Sequence, residues 1–250
     1  MDQTFEPENS PLGNRMKTYE RTTKTWAPPR TYSLLRVDIR AAHTYLAKAE
    51  RPFDAQFMTD MDRVAEALCM EITGAVFAYT QSDEISVLFR DFAGLNTQPW
   101  FGGVLAKQIS ISAGLASATL MALRPGRLAM FDSRVWHMSD PIEVANYFVW
   151  RQRDAIRNSI QMVAQSKFSH SRLQGLNTDQ LQELLFQEHG INWAKLAPGC
   201  KRGRLTRRDE STLYMDGSGL WVTSAAPDFK AEPGSDLAQL IPPLPVLTVW

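Results

Sequence analysis

Two short apolar runs, Val76-Phe77-Ala78-Tyr79 and Ile85-Ser86-Val87-Leu88-Phe89, flank the polar segment Thr80-Gln81-Ser82-Asp83-Glu84. Runs of this length, rich in Val, Ile, Tyr and Phe and bounded by turn residues, predict two strands joined as a hairpin. Upstream, Phe57, Met61, Val64, Ala65, Leu68 and Ile72 recur at helical spacing, with Asp54 as N-cap and Gly74 as the stop. Before that helix, Tyr32-Ser33-Leu34-Leu35-Arg36-Val37-Asp38 reads as a short, mostly buried strand that ends on an acid. Downstream, residues 104–123 are rich in small apolar residues, as in a helix packed tightly under a sheet, and Arg124-Pro125-Gly126 ends them. Leu128-Ala129-Met130-Phe131 supplies a fourth strand. The order strand, helix, strand, strand, helix, strand is that of an α+β, ferredoxin-like split βαβ fold: an antiparallel sheet with helices on one face.

Three segments follow from this reading: an N-terminal arm over 1–30, a sheet domain over 31–140, and a helical C-terminal lobe with an irregular tail over 141–250. The arm has little periodicity apart from a short amphipathic turn at Arg15–Glu20. The lobe opens with Pro141 at an N1-like position and runs helically to Gln165, with a second helix from Thr178 to Glu188. Leu220-Trp221-Val222 and Val246-Leu247-Thr248-Val249 fit edge strands or coil.

Of the 250 residues, 44% are hydrophobic and 22% charged, too apolar for a disordered chain and too charged for a membrane-embedded one. The first thirty residues hold no apolar run, and the two cysteines, Cys69 and Cys200, make no disulfide framework, so a cytoplasmic location without membrane attachment is expected. The zero net charge is unevenly laid out. Residues 151–208 carry 11 basic and 4 acidic side chains, and residues 209–250 carry 1 and 6. Arg151, Arg153, Arg157, Lys167 and Arg172, then Lys201, Arg202, Arg204, Arg207 and Arg208, form either a polyanion-binding surface or a solvated face neutralised by the tail.

Asp38 closes the first strand and Asp83-Glu84 lie at the hairpin turn; in a split βαβ sheet these meet although 45 positions separate them. A pair of hard carboxylates suits Mg²⁺, which takes one or two carboxylates plus water and substrate phosphates. Two such ions about 3.5–4 Å apart would clamp the attacking and leaving oxygens of a phosphoryl transfer. The plainer alternative is that these acids are simply solvated. After Asp38, Ile39-Arg40-Ala41-Ala42-His43 leaves the sheet, where successive amides can form an anion-binding nest, with Arg40 and His43 adding charge; His43 could equally be a packing or capping residue. Zinc spacing, a phosphate-binding G-x-x-x-x-G-K-[ST] loop and a G-x-S-x-G turn are all missing. Trp150, beside Val144, Tyr147 and Phe148, reads as core rather than a base-stacking platform.

The combination Asp38-Ile39-Arg40-Ala41-Ala42-His43, Arg51-Pro52-Phe53-Asp54 and Phe77 to Ser86 resembles the tRNA-histidine guanylyltransferase family. So do Phe131-Asp132-Ser133-Arg134-Val135, Trp150-Arg151-Gln152-Arg153-Asp154 with Asn158, Leu173-Gln174-Gly175 and Leu184-Leu185-Phe186, over about residues 15–205. The resemblance implies a polymerase-like palm that extends the 5′ end of a tRNA in the 3′-to-5′ direction. ATP first adenylylates a 5′-monophosphate; the 3′-hydroxyl of an incoming triphosphate such as GTP then attacks. It implies two Mg²⁺ ions on Asp38, the carbonyl of Ile39 and Asp83, with Glu84 in support. Triphosphate is expected over Ile39, Arg40, Ala41, Ala42 and His43 beside Ser82, Arg51 and Asp54 near the base, and Lys107 on a second triphosphate or the RNA end. Arg151, Arg153, Arg157, Asn158, Lys167, Lys201 and Arg202 are expected to bind RNA, and a homo-tetramer built as a dimer of dimers is implied.

The family pattern has glycine where Ile39 stands, so crowding of the phosphates is expected there. It has an aromatic at Ala42, an arginine at Val104 in eukaryotic members, and histidine at Ile156, a position tied to anticodon reading. These departures point to the bacterial or phage-type branch, whose expected activity is templated repair of tRNA 5′ ends. The alternatives are a palm-fold nucleotide cyclase and a non-catalytic RNA-binding protein.

Overall fold

The computed structural model describes residues 10–212, 219–230 and 233–245. In chain order the elements are α1 (Pro11–Arg21), β1 (Tyr32–Ile39), α2 (Ala42–Tyr45), α3 (Ala55–Glu71), β2 (Ala75–Gln81), β3 (Glu84–Arg90), α4 (Leu105–Leu123), β4 (Phe131–Met138) and α5 (Pro141–Gln165). Then come α6 (His170–Leu173), α7 (Thr178–His189), α8 (Pro198–Arg202), β5 (Arg204–Arg208), β6 (Trp221–Ala225) and α9 (Asp236–Leu240). The six strands form one sheet in the order β4-β1-β3-β2-β5-β6, antiparallel throughout. Its first four positions are those of a split βαβ unit. No helix among the described residues is long and apolar enough to cross a membrane.

Local chemistry accounts for most boundaries. Asp54 caps α3 by accepting from the Phe57 amide at 2.7 Å, and Asp140 caps α5 by accepting from the Ile142 amide at 2.8 Å with Pro141 next in line. Three expectations are corrected. The hairpin turn is only Ser82-Asp83, because Thr80, Gln81 and Glu84 all pair in the ladder. The fourth strand begins at Phe131 instead of ending there. The amphipathic turn at Arg15–Glu20 is part of an eleven-residue helix, started where the Ser10 hydroxyl accepts from the Gly13 amide at 3.0 Å. Leu220-Trp221-Val222 opens onto the edge strand β6, while Val246–Val249 lies outside the described residues.

Strand alternation separates two cores. Leu35, Val37, Ile85, Val87 and Phe89 point to α3 and α4. Tyr32, Leu34, Phe77, Tyr79 and Leu88 point to the opposite face, where Val144, Tyr147 and Phe148 of α5 cover them. Helices therefore cover both faces of the sheet, those of the split βαβ unit on one and α5 on the other. The far half of α5 leaves the sheet and packs Ile160 and Val163 against Leu181 and Leu185 of α7.

The outer strand β5 is admitted next to β2 by Gly203, whose φ of +78° and ψ of −172° suit glycine alone. A Cβ there would lie 2.7 Å from both the Thr80 carbonyl oxygen and the Tyr79 ring. Gly203→Ala should therefore destabilise the fold by about 2–4 kcal/mol, read as a lower urea midpoint.

Candidate active site

On the α5 face the even positions of β1 change from Leu34 to Arg36 and Asp38, and those of β3 from Leu88 to Ser86 and Glu84. Because β1 and β3 run antiparallel with Asp38 opposite Glu84, both polar ends fall at the same end of the sheet. Asp132 and Arg134 of β4 stand opposite Asp38 and Arg36 on the other side. The β2–β3 turn adds Asp83, held in place by Ser82 in a left-handed conformation with φ of +48°. Four carboxylates thus crowd one sheet end.

Three arginines answer part of that charge. Arg151 of α5 grips Glu84 with two parallel bonds, 2.8 Å from Nε and 2.7 Å from a terminal nitrogen, and also reaches Asp154 at 3.1 Å. Arg36 lies between Asp38 and Glu84, its Nε 3.8 and 3.7 Å from their oxygens, beyond hydrogen-bond reach. Arg134 spans Asp38 and Asp132 at 3.4 Å each. Asp83 makes no ion pair among the described residues. Burial raises its pKa most; its own amide and the Ser82 hydroxyl pull it down, and the charges of Asp38 and Glu84 push it up again. Asp38 is raised as well, first by burial and then by Asp132, against the lowering effect of Arg134 and Arg36.

This is a site short of positive charge with hard oxygen donors, and its chemistry fits a divalent cation. Among the described residues no three Asp, Glu, His or Cys side chains close around a common point. A cation here would complete its shell with water and substrate oxygens, the habit of Mg²⁺.

Two cavities meet at the hairpin turn. One, of about 410 Å³, is lined by Asp38, Asp83, Glu84, Arg151, Asp154 and Asn158 among others. The other, of about 270 Å³, lies between the 42–58 segment, α5 and the Gly203 turn, and includes Ala42, His43, Arg51, Asp54, Ser82 and Asp83. Ser82, Asp83 and Asn158 belong to both. Ala41 takes φ of +55° to start the one-turn helix α2, a conformation costing an alanine roughly 1–2 kcal/mol. Arg127 donates to the Tyr45 carbonyl, and its guanidinium lies 4.2 Å from the Tyr45 ring centre, bracing this segment from behind. Asp54 does double duty as cap and wall; the Phe57 amide, above all, holds its pKa down.

Several expected site residues are placed differently. Ile39 does not crowd phosphates: its side chain is 3% exposed in the α3–α4 core, because odd positions of β1 face away from the acids. Arg40 is solvent-exposed and its amide is bound to the Met130 carbonyl. Lys107 lines neither cavity. Ser117 and Ser112 of α4 contact Phe131 and Ser133, and the preceding Trp100 packs on Phe89, whose partner Ser33 is the second residue of β1; Lys107 therefore lies near the sheet end away from Asp38.

The expected RNA-binding set divides. Arg151 is buried against Glu84 and is no surface cation. Arg153, Arg157 and Lys167 are exposed, although Arg157 donates to Asp154. Asn158 lines the cavities and donates to Asp154 at 3.4 Å. Lys201 is partly buried, donating to the Ala194 carbonyl over the Trp193 ring, and Arg202 is partly buried. Arg204 is buried on Asp62. Trp150, expected in the core, is 54% exposed. The arginines that organise the carboxylates, Arg36 and Arg134, went unassigned in the sequence; their i, i+2 spacing to Asp38 and Asp132 was the available signal.

An antiparallel palm that gathers two aspartates beside nucleotide-sized cavities defines the polymerase-like nucleotidyltransferases. The sequence profile described as "Thg1: tRNAHis guanylyltransferase" matches residues 13–139, and the chain belongs to that family. A bacterial tRNA(His) guanylyltransferase (Thg1)-like protein in complex with ATP superposes with a TM-score of 0.84 at 36% identity, covering 92% of this chain and 99% of the other. One in complex with GTP gives 0.76 at 34% identity, covering 88% and 94%. The tRNA(His) guanylyltransferase of Debaryomyces hansenii is 26% identical over 216 residues, 78% of this chain and 79% of its own.

Two outcomes follow from the charge balance. Arg151→Met strands Glu84 in a largely buried setting and should cost about 3–5 kcal/mol; in urea titrations the Arg151→Met/Glu84→Gln pair should lose less than the sum of the single changes. The raised Asp83 pKa means that the folded state holds its proton longer than the unfolded chain. Stability therefore falls as pH rises from the ordinary carboxylate range through the folded value. Metal-free Asp83→Asn should lose part of that slope and melt about 2–4 °C higher at pH 7, equivalent to roughly 1 kcal/mol for a chain of this size.

Proposed function

We propose that this protein adds nucleotides to the 5′ end of tRNA in the 3′-to-5′ direction, repairing or guanylylating that end. The observation that carries the reading is the convergence of Asp38 and Asp83 at the junction of two cavities. In the first step an oxygen of the RNA 5′-monophosphate attacks the α-phosphorus of ATP, and pyrophosphate leaves. In the second, the 3′-hydroxyl of an incoming triphosphate, GTP in guanylylation, attacks the 5′-phosphorus, forming the new phosphodiester and releasing AMP. The ATP and GTP complexes of the bacterial relatives support these substrates.

Asp38, Asp83 and the Ile39 carbonyl would hold two Mg²⁺ ions. Bound there, the metal supplies charge stabilisation at the phosphorus under attack. The protein's own share is positioning. Arg151 fixes Glu84, which leaves Asp83 to face the substrate. Ser82, Ala42 and His43, which line the second cavity, receive the triphosphate, with Ala41 turning the chain toward it and Arg51 and Asp54 walling the base. Arg153, Arg157, Asn158, Lys167, Lys201 and Arg202 approach the tRNA. Lys107, at the other sheet end, would reach a triphosphate only from a second copy. That fits a homo-tetramer, and the outward Ile111 and Met121 of α4, 43% and 38% exposed, offer it an apolar face. We place the reaction in the cytoplasm.

The test is extension of a 5′-truncated, 5′-monophosphorylated tRNA by nucleotide triphosphates and Mg²⁺. The wild type should lengthen it, and Asp83→Ala should slow extension by at least about a thousandfold, the equivalent of roughly 4 kcal/mol of lost transition-state stabilisation. Full extension by Asp83→Ala would refute the metal assignment.

A further inference from the structure

α5 carries two parallel stripes. Arg151, Asp154, Asn158, Gln161, Met162 and Gln165 line the 410 Å³ cavity. The neighbouring stripe, Trp150, Arg153, Arg157 and again Gln161, is exposed. Trp150 is an uncommon kind of surface residue. The residue is 54% exposed, yet the Arg151 guanidinium lies 4.6 Å from the ring centre and Tyr147 packs 5.9 Å away, centre to centre. Tyr147 is fixed in turn by Trp136 at 5.1 Å and by a 2.9 Å bond between its hydroxyl and that of Ser86. A large flat ring is thus backed on the protein side and left open to solvent.

We infer that Trp150 is a base-stacking platform for the RNA substrate, receiving a nucleobase near the 5′ end that reacts beside Asp83. This inference rests on the tRNA-extending function proposed above. Charge and geometry favour RNA over a mononucleotide. Arg153 makes no ion pair among the described residues, and Arg157 remains 59% exposed despite its bond to Asp154. From Trp150 to Arg157 the stripe extends about 10 Å along the helix, a track for a polyanion and not a single-base pocket. Trp150 lines neither cavity. Aromatic platforms flanked by cations are the usual means of holding unpaired nucleotides without reading their sequence.

The experiment measures binding of a fluorescently labelled, 5′-monophosphorylated tRNA lacking its first nucleotide, across a salt series, alongside the KM for ATP and the oligomeric mass. Trp150→Ala should weaken tRNA binding roughly 5- to 150-fold and leave the salt slope, the KM for ATP and the mass unchanged. Trp150→Phe should retain most of the affinity. Arg153→Ala should instead lower the salt slope by about one. A folded Trp150→Ala protein with wild-type tRNA affinity would overturn the inference while extension by the wild type keeps the proposed function intact. An equal loss for ATP would reassign the platform to the triphosphate, and a changed mass would reassign it to a second copy, either of which also overturns it. A wild type that neither binds nor extends tRNA would remove the function and this inference together.

Discussion

Like-charge repulsion at one end of the sheet is the constraint around which the molecule is arranged. Asp38, Asp83, Glu84 and Asp132 are brought together by strand register, and a carboxylate cluster of this kind is tolerated only with nearby cations or held protons. The protein supplies cations selectively. Glu84 is gripped by a bidentate arginine, Asp38 and Asp132 share the exposed Arg134, with Arg36 a more distant cation between Asp38 and Glu84, and Asp83 has only hydrogen bonds. The uneven compensation leaves Asp83, where both cavities open, as the carboxylate at which a cation would gain most.

Alternation along β1 also resolves the largest departure from the family pattern. Glycine after the first acid would free the backbone there, yet a strand sends successive side chains to opposite faces. Ile39 therefore contributes apolar burial to the α3–α4 core and leaves the site to Asp38. Backbone strain sits instead two positions later, at Ala41 with its positive φ. Nothing in the fold requires glycine at position 39 so long as the turn that follows absorbs the change of direction.

Much of this was legible in the sequence. The α3 and α5 helices announce themselves through apolar spacing and through Asp54 and Pro141, since periodicity and helix-start residues are local signals. The acid pair was legible because a split βαβ order fixes which strand ends meet. What escaped depends on distant partners. Arg151 and Trp150 are adjacent in sequence and close to the same apolar residues, yet one is buried on Glu84 and the other faces solvent. Only the side of α5 that meets the sheet decides between them. In the run from Lys201 to Arg208, Arg204 pairs with Asp62 and Lys201 donates to a backbone carbonyl, placements that a count of cations does not contain. The strand that starts at Phe131 was misplaced because Asp132, Ser133 and Arg134 are polar. Asp132 and Arg134 are polar because they face the site beside Asp38 and Arg36, while Ser133, on the other face, bonds the Ser112 hydroxyl of α4 at 2.7 Å.

α5 joins these features into one device. Its inner side seals the sheet through Val144, Tyr147 and Phe148, its flank grips Glu84 through Arg151, and its outer side presents Trp150 and Arg153. The order of contacts is continuous: indole over guanidinium, guanidinium on Glu84, Glu84 next to Asp83. Under the stacking inferred above, a base on that indole would remove water from one side of the Arg151–Glu84 pair and so strengthen it. The same helix meets α7 beyond the cavity, so its register is fixed from both ends, and the geometry of the acidic end follows from packing that the local sequence around Asp83 does not contain.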